Sequence, residues 1–231
     1  MPERFIERVI TMIEIKNLSK IYKNGKHKFY ALNNISLNIK SGEFLMITGR
    51  SGCGKSSLLN IIGLIDDFDS GDYFLYGQKI KQINKKQLAK TRLNQIGYIY
   101  QSFNLINELN CLDNIQLIQG YAGISKLERQ KNAKSLISRV GLSKKANSYP
   151  SELSGGEQQR IAIARAISNN PKIILADEPT GNLDYNTGLE IMSLLKELNK
   201  QGITIIMVTH DRDLLSYSSR FLVMQDGIFI N

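Results

Sequence analysis

Residues 49–56 read Gly49-Arg50-Ser51-Gly52-Cys53-Gly54-Lys55-Ser56, a match to G-x-x-x-x-G-K-[ST]. Glycines at these spacings let the backbone curl, so that several N–H groups point inward at phosphate oxygens. Lys55 is placed to reach β- and γ-phosphates, and the Ser56 hydroxyl to ligate Mg2+. The remaining loop positions and Ser57, next along the chain, complete the nucleotide-binding set. Cys53 occupies a variable position and is read as structural, not nucleophilic. The motif also has its required context. The apolar run EFLMIT (43–48) reads as a strand before it, and LLNIIGL reads as a helix after it. By itself the loop establishes nucleotide binding and leaves kinases, GTPases, helicases and transport ATPases open.

Two further groups narrow the chemistry. At 153–160 stands LSGGEQQR, followed by IAIARAI. Ser154, Gly155 and Gly156 fall just before a helix expected near 156–169, which makes a second anion site of the same physical kind as the first. Taken alone, a serine cap with two turn glycines is an equally sufficient reading. At 173–178 the run IILADE sets Asp177 and Glu178 at the C-terminal end of an apolar strand. Ligand sites lie there in open α/β sheets; a solvated acid pair is the alternative. Two phosphate sites on one chain, for one γ-phosphate, make sense if they face each other across two copies.

In this order and spacing the motifs strongly resemble the ATP-binding cassette (ABC) family, whose signature is LSGGQ-like. Glu157 stands where glutamine is usual. The resemblance covers residues 12–231. It implies an α/β P-loop NTPase fold: a RecA-like core, a small antiparallel β subdomain, and an α-helical subdomain at about 102–153. It also implies ATP and Mg2+ as ligands, with Ser154, Gly155, Gly156 and Glu157 on the nucleotide of a partner copy. Asp177 then belongs to the Mg2+ shell, and Glu178 polarises the attacking water as general base. Gln101, after the strand IGYIY, contacts the metal or the water, and His210, after ITIIMVT, reaches the γ-phosphate. Asp184, in Gly-Asn-Leu-Asp, touches the partner subunit. Tyr22, in SKIYKNGK, stacks on adenine, although Phe29 and Tyr30 lie close by in sequence.

The stretches YPSELSGGEQQRIAIARAI and ADEPTGNLD are similar to the branch that serves macrolide exporters, lipoprotein release and antimicrobial-peptide transporters. The implied partners are a second copy of the chain and separate integral-membrane permease subunits, with no nucleic acid. The implied location is cytoplasmic, peripheral on the inner face of the membrane. The alternative carried from the same family is a soluble ABC ATPase in cell-division signalling or another non-transport role. A DNA-acting member is expected to carry a long coiled-coil insertion, and a ribosome-acting one two cassettes. A small-molecule kinase leaves LSGGE and His210 unexplained.

The elements that must position these residues follow from pattern. Strand-like and helix-like segments alternate, as in a largely parallel sheet covered by helices. Strands are expected at 12–16, 30–39, 43–48, 96–100, 172–176 and 203–209, with an antiparallel piece at 72–76. Helices are expected after Gly54 and near 156–169 and 185–200, and FLVMQ-DG-IFI reads as a closing hairpin. Residues 1–11 read as an extension ahead of the fold, with Met12 as a second candidate start. The chain has 231 residues, 42% hydrophobic and 22% charged, enough to bury a sizeable core. Its formal charge of +9 suits anionic partners, although lysines scattered over the surface give the same count. Cys53 and Cys111 lack metal-type spacing and fit a reducing compartment. No apolar run approaches the ~20 residues that span a bilayer. His27, in what reads as a Lys-rich loop, has no role that can be argued.

Overall fold

The structure is a computed structural model, and it describes residues 11–25 and 27–230. The expected extension at 1–11 therefore lies outside the described residues except for Thr11, which opens the first strand opposite Lys40.

Six strands build the central sheet: β3 (Phe44–Thr48), β6 (Ile96–Ile99), β7 (Ile173–Asp177), β8 (Thr204–Thr209), β9 (Arg220–Gln225) and β10 (Ile228–Phe229), in the order β10-β9-β3-β8-β7-β6. All neighbours are parallel except the terminal β9–β10 hairpin. Both faces of such a sheet are covered, so its strands are continuous apolar runs and alternate residues feed two different cores. Leu45, Ile47, Leu175, Ile206 and Val208 enter one core, while Phe44, Met46, Ile174, Ile205 and Met207 enter the other.

The first core lies between this sheet and α1 (Lys55–Ile62) on one side and a second sheet on the other. That second sheet is antiparallel, in the order β2-β1-β4-β5, built from β1 (Thr11–Asn24), β2 (His27–Lys40), β4 (Ser70–Leu75) and β5 (Gln78–Lys79). The strand expected at 12–16 runs on to Asn24, carried past several register shifts. His27 accordingly starts a strand and does not sit in a loop. The second core lies under α5 (Gly155–Ala166) and α6 (Tyr185–Lys200). α6 buries Ile191, Met192, Leu195 and Leu198, the i, i+1, i+4, i+7 stripe of an amphipathic helix.

The stretch expected to be helical at 102–153 holds α3 (Cys111–Tyr121), α4 (Lys126–Arg139) and two short 3-10 turns. It has its own apolar cluster, Cys111, Ile115, Ala133, Ile137 and Val140, which meets Ile161 and Ala164 of α5. One helix was not anticipated: α2 (Lys85–Gln95) buries no residue, so it has no apolar period to read.

Because Leu195 is fully buried under the sheet, Leu195→Ala should cost about 2–5 kcal/mol. Leu127, 82% exposed on α4, should change stability by less than about 0.5 kcal/mol when cut to alanine. Urea unfolding of the two variants checks the contrast.

Candidate active site

Strand register builds the site. Thr48 pairs with Thr209 and Asp177 with Val208, so β3, β8 and β7 end in one row. The next residues along each strand are Gly49, His210 and Glu178. Ile99 pairs with Ala176 on the outer side. Counting on by two from each puts Gln101 level with Glu178. Four segments far apart in sequence thus end together at one edge of the sheet.

The loop between β3 and α1 needs its glycines for space. A Cβ on Gly49 would lie 2.2 Å from the carbonyl oxygen of Met224, and one on Gly54 2.2 Å from that of Ala31. Gly54 also has φ +106°, a region that side chains rarely adopt. Its left-handed turn sends the chain into α1, whose first N–H groups have no partner within the helix. Lys55 is buried, and its ammonium donates to the carbonyls of Gly49 at 2.8 Å and Arg50 at 2.9 Å, with the Cys53 sulfur 3.9 Å away. The Ser56 hydroxyl donates to Asp177 Oδ1 at 3.2 Å. Residues 49–53 form one wall of a cleft of about 640 Å³, and His210, Arg212, Phe29 and Tyr30 form part of the rest.

Glu178 holds an uncommon backbone. Its φ is +44°, in the left-handed region, and its N–H donates to Val208 O. Such a residue costs of order 1–3 kcal/mol and persists where neighbours over-determine it. Gly181 N–H closes a turn onto Glu178 O, and Gln159 donates from its side chain to Pro179 O at 2.7 Å. The turn aims the carboxylate at His210, whose Nδ1 lies 2.9 Å from Glu178 Oε2. A carboxylate only accepts, so this contact puts an imidazole proton on Nδ1. A smaller cleft of about 280 Å³ opens beside the pair, lined by Thr180, Gly181 and Asp211 among others. Gln101 meets the same loop: its amide donates to Asn182 Oδ1 at 3.4 Å, and the Asn182 amide donates back to Gln101 O.

The segment expected to be a second anion site differs in detail from its expected form. Gly155 and Gly156 are the first residues of α5 and not a turn before it; Ser154 is the cap. The Ser154 hydroxyl accepts from Glu157 N–H, and Glu157 Oε2 accepts in return from Ser154 N–H at 2.8 Å. This reciprocal capping box holds the Glu157 carboxyl below the ordinary carboxylate range, chiefly through the Ser154 N–H. The Glu157 side chain is thereby committed to the cap. A Cβ on Gly156 would come within 2.3 Å of the Thr187 methyl, so that glycine lets α5 close on α6. Asp184 caps α6 by accepting from Thr187 N–H.

Tyr22 stands apart from the cleft wall. Its hydroxyl donates to Asp66 at 2.9 Å, and the Lys20 ammonium lies 5.0 Å from its ring centre. Phe29, its cross-strand partner, and Tyr30 line the cleft instead. Two residues that sequence reading passed over act here through α5. Gln159 is one. The other is Arg165, buried and donating to the carbonyls of Phe103 and Asn104 just beyond Gln101. Both stand on an otherwise apolar helix face, and that is the signal that would have found them.

Burial pushes the Asp177 carboxyl above its ordinary value of 3.8; the Glu178 charge adds to this, while the Ser56 bond and the Lys55 charge oppose it. The folded chain therefore binds this proton more tightly than the unfolded one. Stability is then lost as pH rises through the range just above 3.8. Asp177→Asn keeps an acceptor for Ser56 but removes the charge. It should raise the melting temperature at about pH 7, with a gain that shrinks toward about pH 4. A variant less stable than the parent at neutral pH would contradict this electrostatic account.

Comparison with known proteins identifies the arrangement. Residues 32–181 match the ABC transporter family. An uncharacterised ABC transporter ATP-binding protein of Methanocaldococcus jannaschii, MJ1508, is 50% identical over 216 residues, covering 94% of this chain and 96% of that protein. The macrolide export ATP-binding/permease protein MacB of Mannheimia succiniciproducens is 43% identical over 96% of this chain; the chain spans only 34% of its length. Among solved structures, the M. jannaschii cassette MJ0796, a dimer in a post-hydrolysis state bound to ADP and Pi, superposes with a TM-score of 0.88 at 44% identity, over 95% of this chain and 97% of that one. The chain belongs to the ABC transporter family, as one of its ATP-binding cassettes.

Proposed function

We propose that this chain is the ATP-hydrolysing subunit of a transport complex, working as a homodimer that closes around two ATP molecules and driving a separate membrane permease. The observation that carries this reading is the row at the sheet edge. The phosphate-directed groups Lys55 and Ser56, the acid Asp177, and the Glu178–His210 pair at 2.9 Å are held side by side by strand register. Each ATP lies between the loop at 49–56 of one copy and Ser154, Gly155 and Gly156 of the other. The capped N-terminus of α5 presents backbone N–H groups and a positive helix end to the γ-phosphate. Support for the dimer comes from MJ0796, whose solved form is dimeric with ADP and Pi.

Glu178 is the general base for the attacking water, and His210 holds its carboxylate in place and faces the γ-phosphate. Lys55 exchanges its loop carbonyls for phosphate oxygens. The site also suits Mg2+: Ser56 and Asp177 are hard oxygen donors 3.2 Å apart, and Gln101 lies on the neighbouring loop. Among the described residues no cluster of three or more His, Cys, Asp or Glu could hold a metal. Mg2+ at nucleotide sites is commonly bound by one or two protein oxygens together with phosphate. When bound, it neutralises charge on the phosphate oxygens. The adenine lies against the β1–β2 hairpin, where Phe29 and Tyr30 line the cleft and Tyr22, the cross-strand partner of Phe29, stands next to them. Asp184, besides capping α6, touches the partner copy.

The transport role rests on the relatives. MacB proteins are named as joined ATP-binding and permease proteins, of which this chain matches the ATP-binding third. Among the described residues no helix is long and apolar enough to cross a membrane; in the proposed complex the permease is a separate chain, and the cassette sits on the inner face of the membrane through it. The cargo class is a peptide, lipoprotein or antimicrobial.

Glu178→Gln should lower ATP turnover by about 10²–10⁴-fold while leaving ATP binding intact, as read by steady-state phosphate release and equilibrium titration. Lys55→Ala should instead weaken nucleotide binding itself. Turnover at the parent rate in Glu178→Gln would remove the base. ATPase activity of the parent should rise more steeply than linearly with protein concentration; strict proportionality would argue for a monomeric enzyme.

A further inference from the structure

Gln159 is fully buried on α5, and of its two amide heteroatoms only one is bonded. Nε2 donates to Pro179 O at 2.7 Å, while Oε1 has no partner. For packing alone an apolar side chain of the same length is the cheaper occupant, because it leaves no buried acceptor unpaired. The amide is therefore explained by its one bond. That bond ends on the residue after Glu178, in the turn that holds Glu178 at φ +44°. Pro179 cannot donate a backbone hydrogen bond, so it ties the turn to the scaffold through its carbonyl. The other ties of the turn, Glu178 N–H to Val208 O and Gly181 N–H to Glu178 O, run to β8 and within the turn itself. Gln159 alone among these contacts comes from α5. Along that helix Ser154 lies five positions away, about 7.5 Å at 1.5 Å per residue.

We propose that Gln159 is a positioning residue that holds the Glu178–Pro179 turn against α5, so that the helix offering Ser154 to the partner's nucleotide also sets the aim of its own Glu178. This rests on Glu178 being the base. Each copy then feels, through one rigid helix, whether its Ser154 end is engaged. The side chain touches no reacting atom; its effect passes through the turn.

The test compares Gln159→Met, which keeps the volume and loses the donor, with Gln159→Glu, which regains a donor only when its carboxyl is protonated. In Gln159→Met, kcat should fall about 10- to 100-fold, with KM and ATP affinity within about two-fold of the parent. Amide exchange at Gly181 should accelerate while β7 stays protected. Gln159→Glu, with a carboxyl raised by burial, should recover turnover relative to Gln159→Met as pH is lowered from about 8 to about 6. Parent-like kcat in Gln159→Met, a rise in KM proportionate to any loss, unchanged Gly181 exchange, or the absence of acid recovery would each overturn the proposal. Should Gln159→Met fail to fold, the pH profile of Gln159→Glu decides alone. Glu178→Gln is assayed beside them. If it turns over normally, the base assignment fails; if it is inactive while Gln159→Met matches the parent, only the positioning proposal fails.

Discussion

Parallel pairing of β6, β7, β8 and β3 is the constraint on which everything else at the site depends. Register is specified here because every strand is buried on both faces; a slip of one residue would exchange the two cores. Ile206 and Val208 would trade places with Ile205 and Met207, which now pack against different layers. The apolar runs thus fix where each strand stops, and the stops set Gly49, Glu178 and His210 side by side. None of these three is held by the hydrophobic effect. They are aimed by residues that are.

The polar groups at the edge satisfy one another. Lys55 is held by carbonyls of its own loop, Ser56 by Asp177, Glu178 by His210, and Ser154 by Glu157. On the proposed reading, phosphate binding is an exchange of hydrogen bonds, for which the net gain per bond is small, of order 1 kcal/mol, and larger where charge is involved. Affinity then comes from concentrating many N–H groups and one ammonium on a single dianionic end. Burial of Asp177 works against the free chain and in favour of a cation beside it. α5 joins these pieces: its first turn is capped by Ser154 and Glu157, its middle grips Pro179 through Gln159, and its last turn grips the Phe103 and Asn104 carbonyls through Arg165.

Much of this was legible in the sequence, for a physical reason. Buried parallel strands are short continuous apolar runs, and 43–48, 96–100, 172–176 and 203–209 declared themselves to within a residue or two. Residues 49–56 and the acid pair stood out by residue type and fixed spacing, and the structure brings them together at the ends of β3 and β7. Three things were not legible. α2 has no apolar stripe, and its start is marked only by the Asn84 cap. The place of the first turn of α5 depends on how Ser154 and Glu157 share their bonds, and the pattern S-G-G-E serves a turn or a helix equally well. Tyr22 was singled out by its place in a short motif, yet its hydroxyl is committed to Asp66 by a fold-back of 44 residues that no local pattern reveals.

The proposed function requires that one phosphate site be completed by two copies of the chain. Mixing two defective chains tests it most directly: Lys55→Ala, which lacks a working nucleotide loop but keeps Ser154, and Ser154→Arg, which keeps the loop but blocks the cap. Each homodimer carries one defect in both of its sites, whereas the mixed dimer contains one site with neither. ATPase activity of the mixture, measured over a range of mixing ratios, should exceed the sum of the separate activities and peak near equal proportions. Activity that never rises above that sum would contradict a site shared between copies.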